Sequence, residues 1–93
     1  YPTIRQLPPE EPREFFRKLK ISIKAYRSQK LSHGDLSEYN IINRRNEPFI
    51  IDVGQAVPDS HPLYNHLHKR DMKNLHRFWK KYIPNLKKEE LNI

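Results

Sequence analysis

Phe15, Phe16, Leu19, Ile23 and Tyr26 recur at helical intervals, which predicts an amphipathic helix from Glu10 to about Gln29 with a basic outer face. Pro12 and the acids Glu10, Glu11 and Glu14 suit its first turn. Upstream, residues 1–9 hold Pro2, Pro8 and Pro9 without an apolar period and read as an extended linker. Gly34 breaks the helical pattern, and the short apolar runs Ile41-Ile42 and Phe49-Ile50-Ile51 flank a polar turn at Arg44-Arg45-Asn46-Glu47, the pattern of a β-hairpin. Gly54, Pro58 and Pro62 then mark an irregular loop. Leu63, Leu67, Leu75, Phe78, Trp79 and Tyr82 restore a helical period that runs to Pro84, with Asp71 placed to cap a helix or a kink. Residues 83–93 form a basic tail. The expected class is α+β, mainly helical with one short hairpin.

Charge sharpens this picture. The first 30 residues carry eight Lys/Arg against three Glu, and residues 63–93 carry eight against three acids, whereas residues 31–62 carry two against five. An acidic middle therefore lies between basic flanks. Lysine-rich helices are ordinarily a solvated face, and an anionic partner such as RNA is the functional alternative. Hydrophobic residues are only 35% of 93, so the core is thin, and the absence of cysteine removes disulfides and thiolate metal sites. No run is apolar enough for a membrane span or a signal peptide. The chain does not begin with methionine, and the expectation is that it starts inside a longer protein.

The chemistry concentrates in the acidic middle. His33-Gly34-Asp35-Leu36-Ser37-Glu38-Tyr39-Asn40 matches the kinase loop H-x-D-L-x-x-x-N, with Gly34 where Arg is usual. That spacing serves an Asp that accepts a hydroxyl proton and an Asn that turns back to a Mg²⁺ bridging phosphates. Asp52 lies seventeen residues after Asp35, at the hairpin exit in Ile50-Ile51-Asp52-Val53-Gly54, where a second metal-binding Asp belongs. Oxygen ligands from Asn40 and Asp52 suit a hard ion such as Mg²⁺, or Mn²⁺ in its place. His61, His66, His68 and His76 do not fall at spacings that share a helix face as zinc ligands. Ser37 reads as a polar loop residue and Tyr39 as a packing residue.

Beyond the kinase pattern, Leu31-Ser32-His33-Gly34-Asp35-Leu36-Ser37-Glu38-Tyr39-Asn40-Ile41, then Ile51-Asp52-Val53-Gly54-Gln55-Ala56-Val57, His61-Pro62 and Lys69-Arg70-Asp71 with Asn74 resemble the C-terminal catalytic lobe of RIO-type atypical protein serine kinases, nearest the Rio-one branch. The likeness covers roughly residues 20–82. It implies an ATP- and Mg²⁺-dependent kinase or ATPase acting in the cytoplasm in small ribosomal subunit maturation. On that resemblance Asp35 is the catalytic Asp, Asn40 and Asp52 bind metal and nucleotide phosphate, and Asp52 is the site of an aspartyl phosphate. His33 and Asp71 support the site, Asp71 by bracing the loop from the following helix. Residues 1–9 would lead from a hinge, residues 10–82 form the lobe, and residues 83–93 the tail.

The chain departs from a whole kinase in having no glycine-rich phosphate loop, third-strand lysine or hinge. Only Gly34 and Gly54 are glycines. The resemblance therefore implies half an active site, inactive without a partner N-terminal lobe. Two other functions compete. An aminoglycoside- or choline-type small-molecule kinase shares H-G-D-x-x-x-x-N, but the S-E-Y-N and Q-A-V signatures argue against it. A non-catalytic RNA- or ribosome-binding module would use the basic flanks, but it gains nothing from retaining Asp35 and Asp52, which repel phosphate. Neither a membrane nor DNA is an expected partner.

Overall fold

The computed structural model describes all 93 residues. Helix α1 spans Pro12–Ser28, with Pro12 in its first turn, where a missing N–H leaves no bond unmade. Its inward stripe is Phe15, Phe16, Leu19 and Ile23. Lys30, at φ 60°, turns the chain into strand β1, Leu31–Ser32. The hairpin is β2, Ile41–Arg44, paired antiparallel with β3, Glu47–Ile50. Its two-residue turn, Arg45 and Asn46, has positive φ at both positions (51° and 66°), the turn whose twist matches that of the strands.

A 3-10 turn at Val53–Gln55 follows, then β4, Val57–Pro58, pairs antiparallel with β1. Helix α2 runs Tyr64–Trp79 and buries His68, Asp71, Met72, Leu75, Phe78 and Trp79. A second 3-10 turn, Lys88–Leu91, closes the chain against it. Helices, a hairpin and a two-residue strand pair make the fold α+β. No helix is long and apolar enough to cross a membrane.

The core joins the two helices around Trp79, whose ring lies 5.6, 5.7 and 5.2 Å from those of Phe15, Phe16 and Phe78. Segments expected as linker and tail are part of it. Ile4 is fully buried, its N–H donates to the Ile41 carbonyl at 2.9 Å, and Thr3 bridges to Ile42, so the proline-rich start adds an edge to the hairpin. Ile83, Leu86 and Leu91 are likewise buried. A thin core draws in apolar residues from short runs without a period, although Leu7 in the same N-terminal segment stays exposed.

Candidate functional site

Residues 33–40, which connect β1 to the hairpin, form a loop with almost no regular structure, so side chains must satisfy its backbone. Three residues of α2 do this. Asp71 accepts the Gly34 N–H on Oδ2 and the Leu36 N–H on Oδ1, both at 3.0 Å. Arg70 donates to the Gly34 carbonyl, and Asn74 Nδ2 donates to the Leu36 carbonyl at 3.5 Å. The Arg70-Asp71-x-x-Asn74 string thus reads out one short stretch of loop. Asp71 lies in mid-helix, neither cap nor kink, and α2 runs through it unbroken. Burial raises the Asp71 carboxyl above its ordinary range, while its two backbone donors oppose that shift.

Asn40 closes the same loop. Its Nδ2 donates to the Asp35 carbonyl at 2.6 Å and its Oδ1 accepts the Ser37 N–H at 2.7 Å. Its backbone carbonyl accepts the Ile51 N–H at 3.0 Å. His33 reaches the same residue, with Nε2 2.9 Å from the Ile51 carbonyl and Nδ1 accepting the Asp35 N–H at 3.2 Å. With Nδ1 accepting, this pair of bonds places Nε2 as the donor to Ile51 and makes the ring a strut between the two loops. Ile51 is therefore held from both its N–H and its carbonyl by the loop that carries Asp35.

Asp52 follows at once, in the left-handed region (φ 58°, ψ 50°), a conformation that Asp adopts more readily than most residues. Beyond it, Gln55 lies against Gly34. A Cβ on Gly34 would stand 2.6 Å from the Gln55 carbonyl oxygen, and Gly34 has φ 90°. No larger residue fits without movement of one loop, which accounts physically for glycine where kinases usually have Arg.

Asp35 and Asp52 are both exposed, and neither side chain makes a hydrogen bond or ion pair within the protein. Asn40 and Asp71 are buried. Tyr39, expected to pack, is 63% exposed, and its hydroxyl accepts from Arg5 Nε at 3.2 Å. The β1–β4 pairing and the Gly34–Gln55 approach are not legible in the sequence pattern, since two-residue strands carry no period.

Comparison with known proteins follows this geometry. The family model of the RIO domain matches residues 1–91. The chain belongs to the RIO family. It is 42% identical over 69 residues to the RIO-type serine/threonine-protein kinase Rio1 of Methanocaldococcus jannaschii, covering 73% of this chain and 24% of that protein. Against Rio2 of the same organism the figures are 39% over 85 residues, 90% and 32%. Human serine/threonine-protein kinase RIO3 is 34% identical over 73 residues, 77% of this chain and 14% of the human protein. The RIO chain thus spans about a quarter to a third of the length of its archaeal relatives. Both Rio1 and Rio2 proteins match, so the family is shown rather than one branch.

Kinases work on ATP with a divalent cation, and the donors here suit one. The Asp52 carboxylate is free, and the Asn40 amide oxygen, engaged by one N–H, keeps a second lone pair. No three His, Cys, Asp or Glu side chains cluster to hold a metal. A Mg²⁺ in this RIO chain would therefore draw on Asp52, Asn40, water and the ligand's own phosphates.

Proposed function

We propose that this chain is the kinase-like C-terminal lobe of a RIO-type ATP-dependent protein kinase or ATPase and carries its phosphoryl-transfer residues. The supporting observation is the double attachment of Ile51 to the loop of Asp35 and Asn40. It ties the loops that carry two free carboxylates, Asp35 and Asp52, to each other at Ile51. Catalysis of phosphoryl transfer is chiefly positioning and electrostatics, so a tie of this kind is what the chemistry requires.

In this reading Asp35 accepts the proton of the attacking hydroxyl, from a serine or from water. Asn40 and Asp52 hold Mg²⁺, or Mn²⁺ in its place, which when bound neutralises charge on the β- and γ-phosphate oxygens. Asp52 is also the phosphoryl acceptor in this reading, a carboxylate oxygen bonding to the γ-phosphorus of ATP as the bond to the ADP leaving oxygen breaks, which gives an aspartyl phosphate. His33, Arg70, Asp71 and Asn74 position these groups without touching substrate. A second lobe, outside these 93 residues, supplies the adenine and remaining phosphate contacts, and the proposed setting is small ribosomal subunit maturation in the cytoplasm.

The test uses the full-length protein with radiolabelled ATP. Asp35→Ala is expected to cut turnover by about a hundredfold or more while nucleotide still binds, because Asp35 acts on the nucleophile. Asp52→Asn is expected to remove Mg²⁺-dependent binding, turnover and any hydroxylamine-labile phosphate on the protein. Turnover that survives both substitutions contradicts the proposal.

A further inference from the structure

A cavity of about 600 Å³ lies away from these loops, between α2 and the closing 3-10 turn. Lys69, Lys73, His76 and Lys88 line it around apolar Met72, Leu91 and Ile93, and no Asp or Glu side chain does. Along α2 and onto its C-cap, Lys69, Lys73, His76 and Lys80 follow one another at i, i+4, i+7 and i+11, a single stripe about 16 Å long at 1.5 Å per residue. At 100° per residue Asp71 lies about 200° from Lys69, so this stripe runs down the side of α2 opposite the residue that holds the Asp35 loop. The four lysines are exposed, and none forms an ion pair.

His68 also lines the cavity. It is 7% exposed, its Nε2 lies 2.9 Å from the Ile93 carbonyl, and its Nδ1 is buried without a partner. With the Nε2 proton committed to that carbonyl, Nδ1 is an acceptor in need of a donor. Burial first, and the Arg27 charge second, lower the pKa of His68 and favour this neutral form.

We infer that this face of α2 binds a single strand of RNA, with backbone phosphates along Lys69, Lys73, Lys80 and Lys88 and a nucleotide seated in the cavity beside His68. A line of cations matches a ligand with a phosphate at every unit better than a phosphopeptide, which offers one or two. The apolar floor of Met72, Leu91 and Ile93 suits a base. The site shares no residue with the proposed phosphoryl-transfer centre, so either can fail without the other.

The experiment titrates the full-length protein into a fluorescent single-stranded oligoribonucleotide and follows anisotropy at several salt concentrations. With four cations on phosphate, affinity is expected to fall about fifty-fold between about 50 and about 200 mM salt, each contact contributing a slope of about 0.7. Lys69→Ala, Lys73→Ala and Lys88→Ala together are expected to lower that slope by about 2, whereas arginine at the same positions retains it. Lys24→Ala on the basic face of α1 is expected to change little, as is Asp35→Ala. Binding indifferent to the triple alanine variant, or tighter binding of a phosphoserine peptide, would each overturn the proposal.

Discussion

The loop of residues 33–40 and the loop of residues 51–56 carry the two free carboxylates, yet they are built on opposite terms. The first is bonded at Gly34, Leu36 and Ser37 by side chains of Asp71, Arg70, Asn74 and Asn40, three of them from one helix. The second is exposed from Ile51 to Gln55, its Asp52 side chain is unbonded, and it is held at its ends by Ile51 and by the short β1–β4 pair. The proton-accepting side of the proposed site is thus set in advance by the fold. The metal-binding side is anchored but left open, and open loops are where stability is lowest and ligands make the difference.

Substitution of Asp71 sharpens this contrast most. Asp71→Ala leaves two buried N–H groups without acceptors and is expected to cost about 3 kcal/mol, read from urea denaturation; Asp71→Asn keeps one acceptor and is expected to cost about half as much. Hydrogen exchange should accelerate first at Gly34 and Leu36. Asp52→Asn, by contrast, is expected to stay within about 0.5 kcal/mol of the parent, since an exposed side chain without partners is removed and Asn accepts the same backbone conformation. Comparable losses from the two substitutions would break the comparison.

Gly34 is where the loops meet. Gly34→Ala is expected to cost about 2 kcal/mol, from the positive φ and the contact with Gln55. Its signature is faster exchange in both loops, whereas the Asp71 effect centres on the first. Gly34→Arg should be no better tolerated.

Much of this was legible in the sequence, for reasons that differ by element. The apolar spacing placed the first helix from Glu10 to Gln29, and it spans Pro12–Ser28. The hairpin turn expected at residues 44–47 is centred on Arg45 and Asn46. The motif named Asp35, Asn40 and Asp52 as candidates, and the resemblance assigned Asp71 to brace the loop, which its two bonds to Gly34 and Leu36 do; that Arg70 and Asn74 join it shows only in the fold. Periodicity could not show Ile4 as core or Asp71 as a mid-helix acceptor, because single contacts between distant segments leave no repeat. Nor could it show why residue 34 is glycine, since the Gln55 carbonyl that excludes a side chain is reached only through the fold.

The smallest expected effect lies on the far face of α2. Burial lowers the pKa of His68 below its ordinary 6.5, so the unfolded chain binds this proton more readily than the folded one. The contribution is intact above that value and is lost as pH falls through it toward the lower folded value. Thermal denaturation from pH 8 to pH 5 should therefore show a steeper decline for the parent than for His68→Gln, while the two site loops are unaffected.

The central claim, that the loops of Asn40 and Asp52 share one cation, is tested most directly by amide NMR line broadening with paramagnetic Mn²⁺. Binding without nucleotide is expected to be weak, because two side chains supply too few of the ion's ligands. The account expects broadening at Asn40, Asp52 and Val53 together, removed by Asp52→Asn. Broadening confined to one loop, or centred on the exposed acids Glu10, Glu11 and Glu89, would contradict it.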